Sequence, residues 1–244
     1  TVFLCLNTAY IAGQMMLVRA ITGQLNVIAV EPNSTPQIDT SSSAIHFAAF
    51  VPMQIKNLLK KRSLDRKRGL KGIIIGGAPV DGELEDLLNT ISIPAYATFG
   101  MTETVSHIAL RELNGKTKSE YYQALPGIQL GSEKGCLTIK GAATNFEKIV
   151  TCDLVEFKDP KSFKWLGRKD NVVNSGGVKI QIEEVEKHLH QLLETLGVST
   201  RFICSKKKDT QLGEKLVLVL EGANHQFDQR SILSKLSESL PKYW

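Results

Sequence analysis

Three stretches of the 244-residue chain combine glycine, hydroxyl, carboxylate and guanidinium side chains at spacings that suit phosphate or acyl chemistry. In "YATFGMTETVSHIALR" (Tyr96 to Arg111), Thr98, Thr102, Glu103, Thr104, Ser106 and His107 crowd around Gly100, directly after an apolar run. Polar groups this dense at the end of a buried strand are costly unless they meet water, one another or a ligand. A hydroxyl followed by a carboxylate, Thr102–Glu103, can hold phosphate oxygens and Mg²⁺, a cation that takes few carboxylates besides phosphates and water. Phe99 and Gly100 can line a base. The same residues also suit an ordinary helix start, with Thr102 as cap and Glu103 in the first turn.

The second stretch, "IIIGGAPV" (Ile73 to Val80), is an apolar strand running into Gly76–Gly77 and then a helix. Paired glycines admit a flat ring or a phosphate to the backbone, and such turns at the carboxyl edge of a parallel sheet are where α/β proteins bind ligands. The plain alternative is a tight turn needing positive φ, and no GxGxxG pattern supports a dinucleotide site. The third is "TCD" (Thr151 to Asp153) followed by "WLGRKDNVVNSGGVKIQIEEVE" (Trp165 to Glu186). An Asp at a strand end can accept from two vicinal ribose hydroxyls, and Arg168 can donate to the same sugar. Here the alternative is a hairpin with a Gly176–Gly177 turn.

The elements that must position these residues alternate. "VFLCL", "LNVIAV", "AIHFAAF", "GLKGIIIGG" and "IPAYATF" read as buried strands. "YIAGQMMLVRAIT", "VPMQIKNLLKK" and "VDGELEDLLNT" read as helices, the last capped by Asp81. Residues 1 to about 101 therefore form a parallel α/β sheet. From Ser106 to about Trp165 short β runs, "HIALREL", "GCLTIK" and "KIVTCDLVEFK", form an antiparallel or barrel-like section. A small α+β unit follows, with helices at Glu183–Leu196 and Asp228–Leu240 and strands "TRFICS" and "KLVLVLEG". The boundary falls near Arg168–Asp170, giving domains 1–169 and 170–244.

Apolar residues make up 42% of the chain and charged residues 23%, the balance of a globular protein with a real core. The net charge of +5 favours anionic ligands such as nucleotides and falls short of a nucleic-acid signature. The basic runs Lys60–Lys71 and Ser205–Asp209 lack interleaved aromatics and read as solvated loops. Cys5, Cys136, Cys152 and Cys204 have neither CxxC spacing nor a histidine cluster, which suits a reducing, cytoplasmic setting. The uncharged run Val2–Val18 is interrupted by Asn7, Thr8 and Gln14, so no membrane insertion is expected.

Taken in order, the three stretches resemble the motifs of the adenylate-forming superfamily, which includes acyl-CoA synthetases, peptide-synthetase adenylation domains and luciferase. "YATFGMTET" is similar to that family's Y-x-x-Y-G-x-T-E, and "TCD" to its T-G-D, with Cys152 in place of glycine. "GRKDNVVNSGGVKIQIEEVE" resembles its interdomain linker, with Gln181 and Ile182 where a proline is common, and "CLNTAYIAG" resembles its L-P-L-Y-H-I-A-G segment. The resemblance runs over essentially the whole chain. "GMTETVSHIALR" and "PGI" are most similar to the branch that ligates o-succinylbenzoate to coenzyme A in menaquinone biosynthesis.

That resemblance implies an acid–CoA ligase using ATP, Mg²⁺ and coenzyme A on a small-molecule carboxylic acid. It implies that Gly76, Gly77, Ala78 and Pro79 pack against adenine with Phe99 or Gly100 opposite. Thr102 contacts phosphate or the acyl carbonyl, Glu103 holds Mg²⁺, and Asp153 and Arg168 bind ribose. Asp170 is the interdomain hinge, Gly177 borders the coenzyme A channel, and Ser106 and His107 face the acyl group. The family's phosphate loop and its T-G-K lysine segment do not occur within these residues, and neither Lys215 nor Lys242 replaces that lysine. The chain thus reads as part of a longer protein, inactive by itself. Another aryl or acyl-CoA synthetase, or an AMP-binding module without catalysis, are the alternatives.

Overall fold

The computed structural model describes residues 1–38, 44–64, 69–198, 200–222 and 229–241. In chain order its elements are β1 (Val2–Leu4), α1 (Ile11–Thr22), β2 (Val27–Ala29), β3 (Phe47–Phe50), α2 (Pro52–Lys60), β4 (Gly72–Ile75), α3 (Gly82–Leu88), β5 (Ala95–Gly100), β6 (His107–Glu112), β7 (Tyr122–Ala124), β8 (Gln129–Glu133), β9 (Cys136–Lys140), β10 (Ile149–Asp159), β11 (Ser162–Arg168), β12 (Val172–Ser175), β13 (Val178–Gln181), α4 (Ile182–Thr195), β14 (Phe202–Asp209), β15 (Gly213–Leu220) and α5 (Gln229–Ser239). Two compact units divide the chain. The first comprises Thr1–Gly131, Thr138–Ile149 and Phe157–Lys164; the second comprises Ser132–Leu137, Val150–Glu156 and Trp165–Trp244.

In the first unit the strand order runs β2-β1-β3-β4-β5-β6-β7-β11. Neighbours from β2 to β5 are parallel, and β5–β6, β6–β7 and β7–β11 are antiparallel. The expected β-rich section is therefore a continuation of the same sheet. Strand alternation sends Phe3, Phe50, Ile73 and Ile75 to one face, where they pack with Ile55 and Leu58 of α2 and Leu84 and Leu88 of α3. Val2, Leu4 and Ala49 point the other way and meet Met16 and Ala20 of α1. Each fully buried Phe or Ile stabilises the fold by about 1.5–3 kcal/mol. β2 corrects the expectation of a buried strand: it lies at the sheet edge with Val27 and Ala29 exposed, so only one neighbour pairs with it.

Helix starts follow local chemistry. Pro52 opens α2, where its missing N–H costs nothing. The Asp81 carboxylate accepts from the Leu84 N–H at 2.8 Å, the cap expected from the sequence. β5 is anchored at its first residue by buried Asn114. The Asn114 side-chain oxygen accepts from the Ala95 N–H at 3.0 Å, and its amide lies within 3.2 Å of the carbonyls of Leu88, Ile91 and Ile93.

The second unit carries the sheet β13-β12-β15-β14, covered by α4 and α5 through Val173, Ile180, Val185, Leu189, Ile232 and Leu236. Its β12–β13 hairpin turns through Gly176 (φ 58°) and Gly177 (φ 88°), as the alternative reading of that stretch expects. The Ser205–Asp209 run is not a loop. It forms most of β14, paired residue for residue with β15, and its lysines alternate across the strand. Lys215 sits in β15 with its ammonium 3.2 Å from Asp209. Lys242 lies outside the described residues, as does part of the Lys60–Lys71 run. Among the described residues no helix is long and apolar enough to cross a membrane.

Candidate functional site

The Thr102–Glu103 pair sits on a single helical turn, Thr102–Thr104, immediately after β5. The turn is held by Thr104, which is buried. Its hydroxyl accepts from the Met101 N–H at 3.1 Å and lies 3.0 and 2.9 Å from the carbonyls of Met101 and Ser106. Thr104, and not Thr102, is therefore the capping threonine, and sequence reasoning missed it because both are equally plausible caps by type. Thr102 and Glu103 are exposed, and no described residue accepts from or donates to either side chain. The turn closes on Val105 at φ 62°, a left-handed conformation for a β-branched residue and a store of about 1–3 kcal/mol of strain. Such strain is tolerated where the surroundings over-determine the backbone, and here it lies beside the free hydroxyl and carboxylate.

Gly100 and Gly76 are required for a different reason than the sequence suggests. A Cβ on Gly100 would lie 2.6 Å from both the Ser106 carbonyl oxygen and the His107 Cα, so its bare face is filled by the backbone of β6. A Cβ on Gly76 would lie 2.2 Å from the Thr98 hydroxyl, which crosses there to the Ile75 carbonyl at 3.3 Å. These two faces are occupied by protein. Gly77, at φ 84°, and the exposed Ala78 and Pro79 remain the open part of that turn. Phe99 is half-buried and joins an aromatic cluster, edge-on to Phe163 at 5.0 Å and tilted against Tyr122 at 5.5 Å.

Ser106 and His107 are brought together with a residue the sequence reading did not name. Arg19, on α1, donates to His107 Nδ1 at 3.2 Å and to Ser106 Oγ at 3.3 Å. Donation to Nδ1 assigns the His107 proton to Nε2. Burial, and then the charge of Arg19, push the His107 pKa below its ordinary value. Among the described residues no carboxylate pairs with the half-buried Arg19 guanidinium. A signal for Arg19 was present: it is the lone charged residue in its helix.

In the second unit Asp153 lies in the middle of β10, not at a strand end, and is 8% exposed. One of its oxygens accepts from the Trp165 indole N–H at 2.8 Å. Arg168 is exposed and engages Asp170 through two bonds, 2.9 and 2.7 Å. The Asp170 bond raises the Arg168 pKa, and the Arg168 bond lowers that of Asp170. The segment is braced from the end of β13 and the start of α4: the Arg168 N–H donates to Glu183 at 3.2 Å, Gln181 donates to the Arg168 carbonyl at 3.0 Å, and Asn171 donates to Glu183 at 2.8 Å. Gln181, noted in the sequence only as a missing proline, is thus a structural brace. Gly177 faces open space.

Glu103 fits a Mg²⁺ site of the kind built from one carboxylate and substrate phosphates, since it is exposed and unengaged. Among the described residues no cluster of three or more metal-ligating side chains offers a complete protein cage. In chain order the glycine turn after β4, the Thr-Glu turn after β5 and the Gly167–Asp170 segment follow one another as the motifs of the resemblance do. The chain belongs to the adenylate-forming superfamily of AMP-forming acyl-CoA synthetases. The crystal structure of an acyl-CoA synthetase (AMP-forming)/AMP-acid ligase II-like protein from Dyadobacter fermentans is 38% identical, with a TM-score of 0.67 over 99% of this chain and 69% of that one. The 2-succinylbenzoate–CoA ligase of Escherichia coli is 28% identical over 196 residues, 74% of this chain and 41% of the relative. The o-succinylbenzoate CoA synthetase of Bacillus subtilis, solved with its acyl-adenylate intermediate, shares the fold at a TM-score of 0.75 and 20% identity, over 99% of this chain and 55% of that one. The chain spans less than half the length of the E. coli relative. No protein-family model matches it.

Proposed function

We propose that these residues belong to an acid–CoA ligase that activates o-succinylbenzoate. The observation that carries the reading is the Thr102–Glu103 turn: a hydroxyl and a carboxylate, exposed and unengaged, on a strained turn at the carboxyl end of β5. The acid's carboxylate attacks the α-phosphorus of ATP and pyrophosphate leaves; the thiolate of coenzyme A then displaces AMP from the acyl carbon. Both steps depend on alignment and charge stabilisation. Glu103 would hold Mg²⁺, which neutralises phosphate charge, and Thr102 would contact the phosphate or acyl oxygen. Gly77, Ala78 and Pro79 would meet adenine, beside Gly76, Phe99 and Gly100. Asp153 and Arg168 would hold ribose, Asp170 would be the hinge between domains 1–169 and 170–244, and Gly177 would border the coenzyme A channel.

The choice of acid rests on Arg19. A half-buried guanidinium with no carboxylate partner among the described residues, flanked by Ser106 and His107, suits the second carboxylate of a dicarboxylic aromatic acid. Four free thiols suit a reducing cytoplasm. The test is a chimera in which these 244 residues replace the matching region of the E. coli relative, assayed by acid-dependent ATP–pyrophosphate exchange over a panel of acids. Exchange with o-succinylbenzoate alone is expected, with Arg19→Met raising its KM. Exchange only with a monocarboxylic acid would overturn the substrate, and AMP binding without exchange would support a non-catalytic module instead.

A further inference from the structure

Asp153 has little access to water, and a buried carboxylate is costly unless something donates to it. The donor is the indole of Trp165, a group with one N–H and no acceptor. The two residues lie on neighbouring strands, β10 and β11, joined by a turn in which the Lys161 N–H donates to Asp159 at 2.8 Å. Among the described residues the other oxygen of Asp153 has no side-chain or backbone donor, and it is not sealed from solvent. Two donors of Arg168, Nε and Nη2, are engaged by Asp170.

We infer that Trp165 is a positioning residue for the sugar site: it donates to one oxygen of Asp153, fixes the carboxylate plane, and aims the other, open oxygen at the ribose hydroxyls. This rests on the reading of Asp153 as the ribose carboxylate. The indole-bonded oxygen keeps one lone pair, and the open oxygen is the stronger acceptor for the ribose hydroxyls. Its sugar selectivity comes from one charged acceptor whose direction the indole sets, and a phenyl ring in the same place would let the carboxylate rotate.

The experiment compares AMP with 2′-deoxy-AMP by calorimetric titration of the 244-residue chain and of Trp165→Phe. In the unaltered chain AMP is expected to bind about tenfold more tightly than 2′-deoxy-AMP, the size of one hydrogen bond to a charged acceptor. In Trp165→Phe that ratio falls below about threefold, while 2′-deoxy-AMP itself binds nearly as before. A purely structural role for the indole would weaken both nucleotides alike, and an unchanged or larger ratio in folded Trp165→Phe overturns the inference. If the unaltered chain does not distinguish the two nucleotides, or binds neither, the ribose reading of Asp153 fails first. Should Trp165→Phe not fold, Trp244→Phe leaves Trp165 as the sole indole. AMP must then shift its emission more than 2′-deoxy-AMP does, and equal or absent shifts overturn the proposal.

Discussion

Replacing Gly100 by alanine tests whether the Thr-Glu turn depends on close backbone approach. The added methyl would lie 2.6 Å from the Ser106 oxygen and the His107 Cα, about 0.8 Å inside the 3.4 Å at which ordinary contact begins. Both neighbours are backbone and cannot swing aside as a side chain would. The strain falls on the Gly100–His107 pair, next to the register shift between β5 and β6. Overpacking of this kind costs about 1–3 kcal/mol, and loss of one flanking ladder bond adds about 1 kcal/mol. A total of about 3 kcal/mol lowers the Tm of a chain this long by roughly 6–12 °C. Differential scanning calorimetry reads the shift, and Gly77→Ala is the control. There the methyl meets only Val51, at 3.6 Å, so the cost is the positive φ alone, about 1–2 kcal/mol. A Gly100→Ala protein melting within about 2 °C of the unaltered chain would refute the close-approach argument and return Gly100 to a ligand-facing role.

Asn114→Ala removes the side chain that bridges the Ala95 N–H and the carbonyls at Leu88, Ile91 and Ile93, and should cost about 2–4 kcal/mol by chemical denaturation. In thiol labelling at pH 8 the exposed Cys152 should react first. Cys5 and Cys204, buried with pKa values pushed up to about 12 by desolvation, should wait for unfolding. His107 holds its proton less tightly folded than unfolded. Stability therefore stays level above its ordinary pKa and falls as pH drops from there toward the folded value. His107→Gln should flatten that acid limb in pH-dependent melts.

Much of this architecture was legible in one dimension. Alternating apolar runs and capped helices placed β1 to β5 and α1 to α3, because strand and helix periods and the Asp81 cap are local properties. The Gly-Gly hairpin at Gly176–Gly177 was legible for the same reason. Burial was less so: "LNVIAV" reads as a core strand, yet β2 has a neighbour on one side only, which depends on strand order and not on composition. "SKKKD" reads as a loop because lysine is a weak strand former, and its pairing with β15 overrides that preference.

For the site, the sequence determined which groups stand at the ends of β4 and β5 and that Asp153, Arg168 and Asp170 follow in order. Residue type and spacing carry that much, as does membership in the adenylate-forming family. The tertiary structure decided what each group does. It made Thr104 the cap and left Thr102 and Glu103 exposed, without a partner among the described residues. It filled the bare faces of Gly76 and Gly100 with Thr98 and β6, brought Arg19 to Ser106 and His107 from 87 and 88 positions away, and set Trp165 against Asp153 across neighbouring strands. Hydrogen bonds act over about 3 Å of space, and separation along the chain says nothing about which donors and acceptors fold to within that distance.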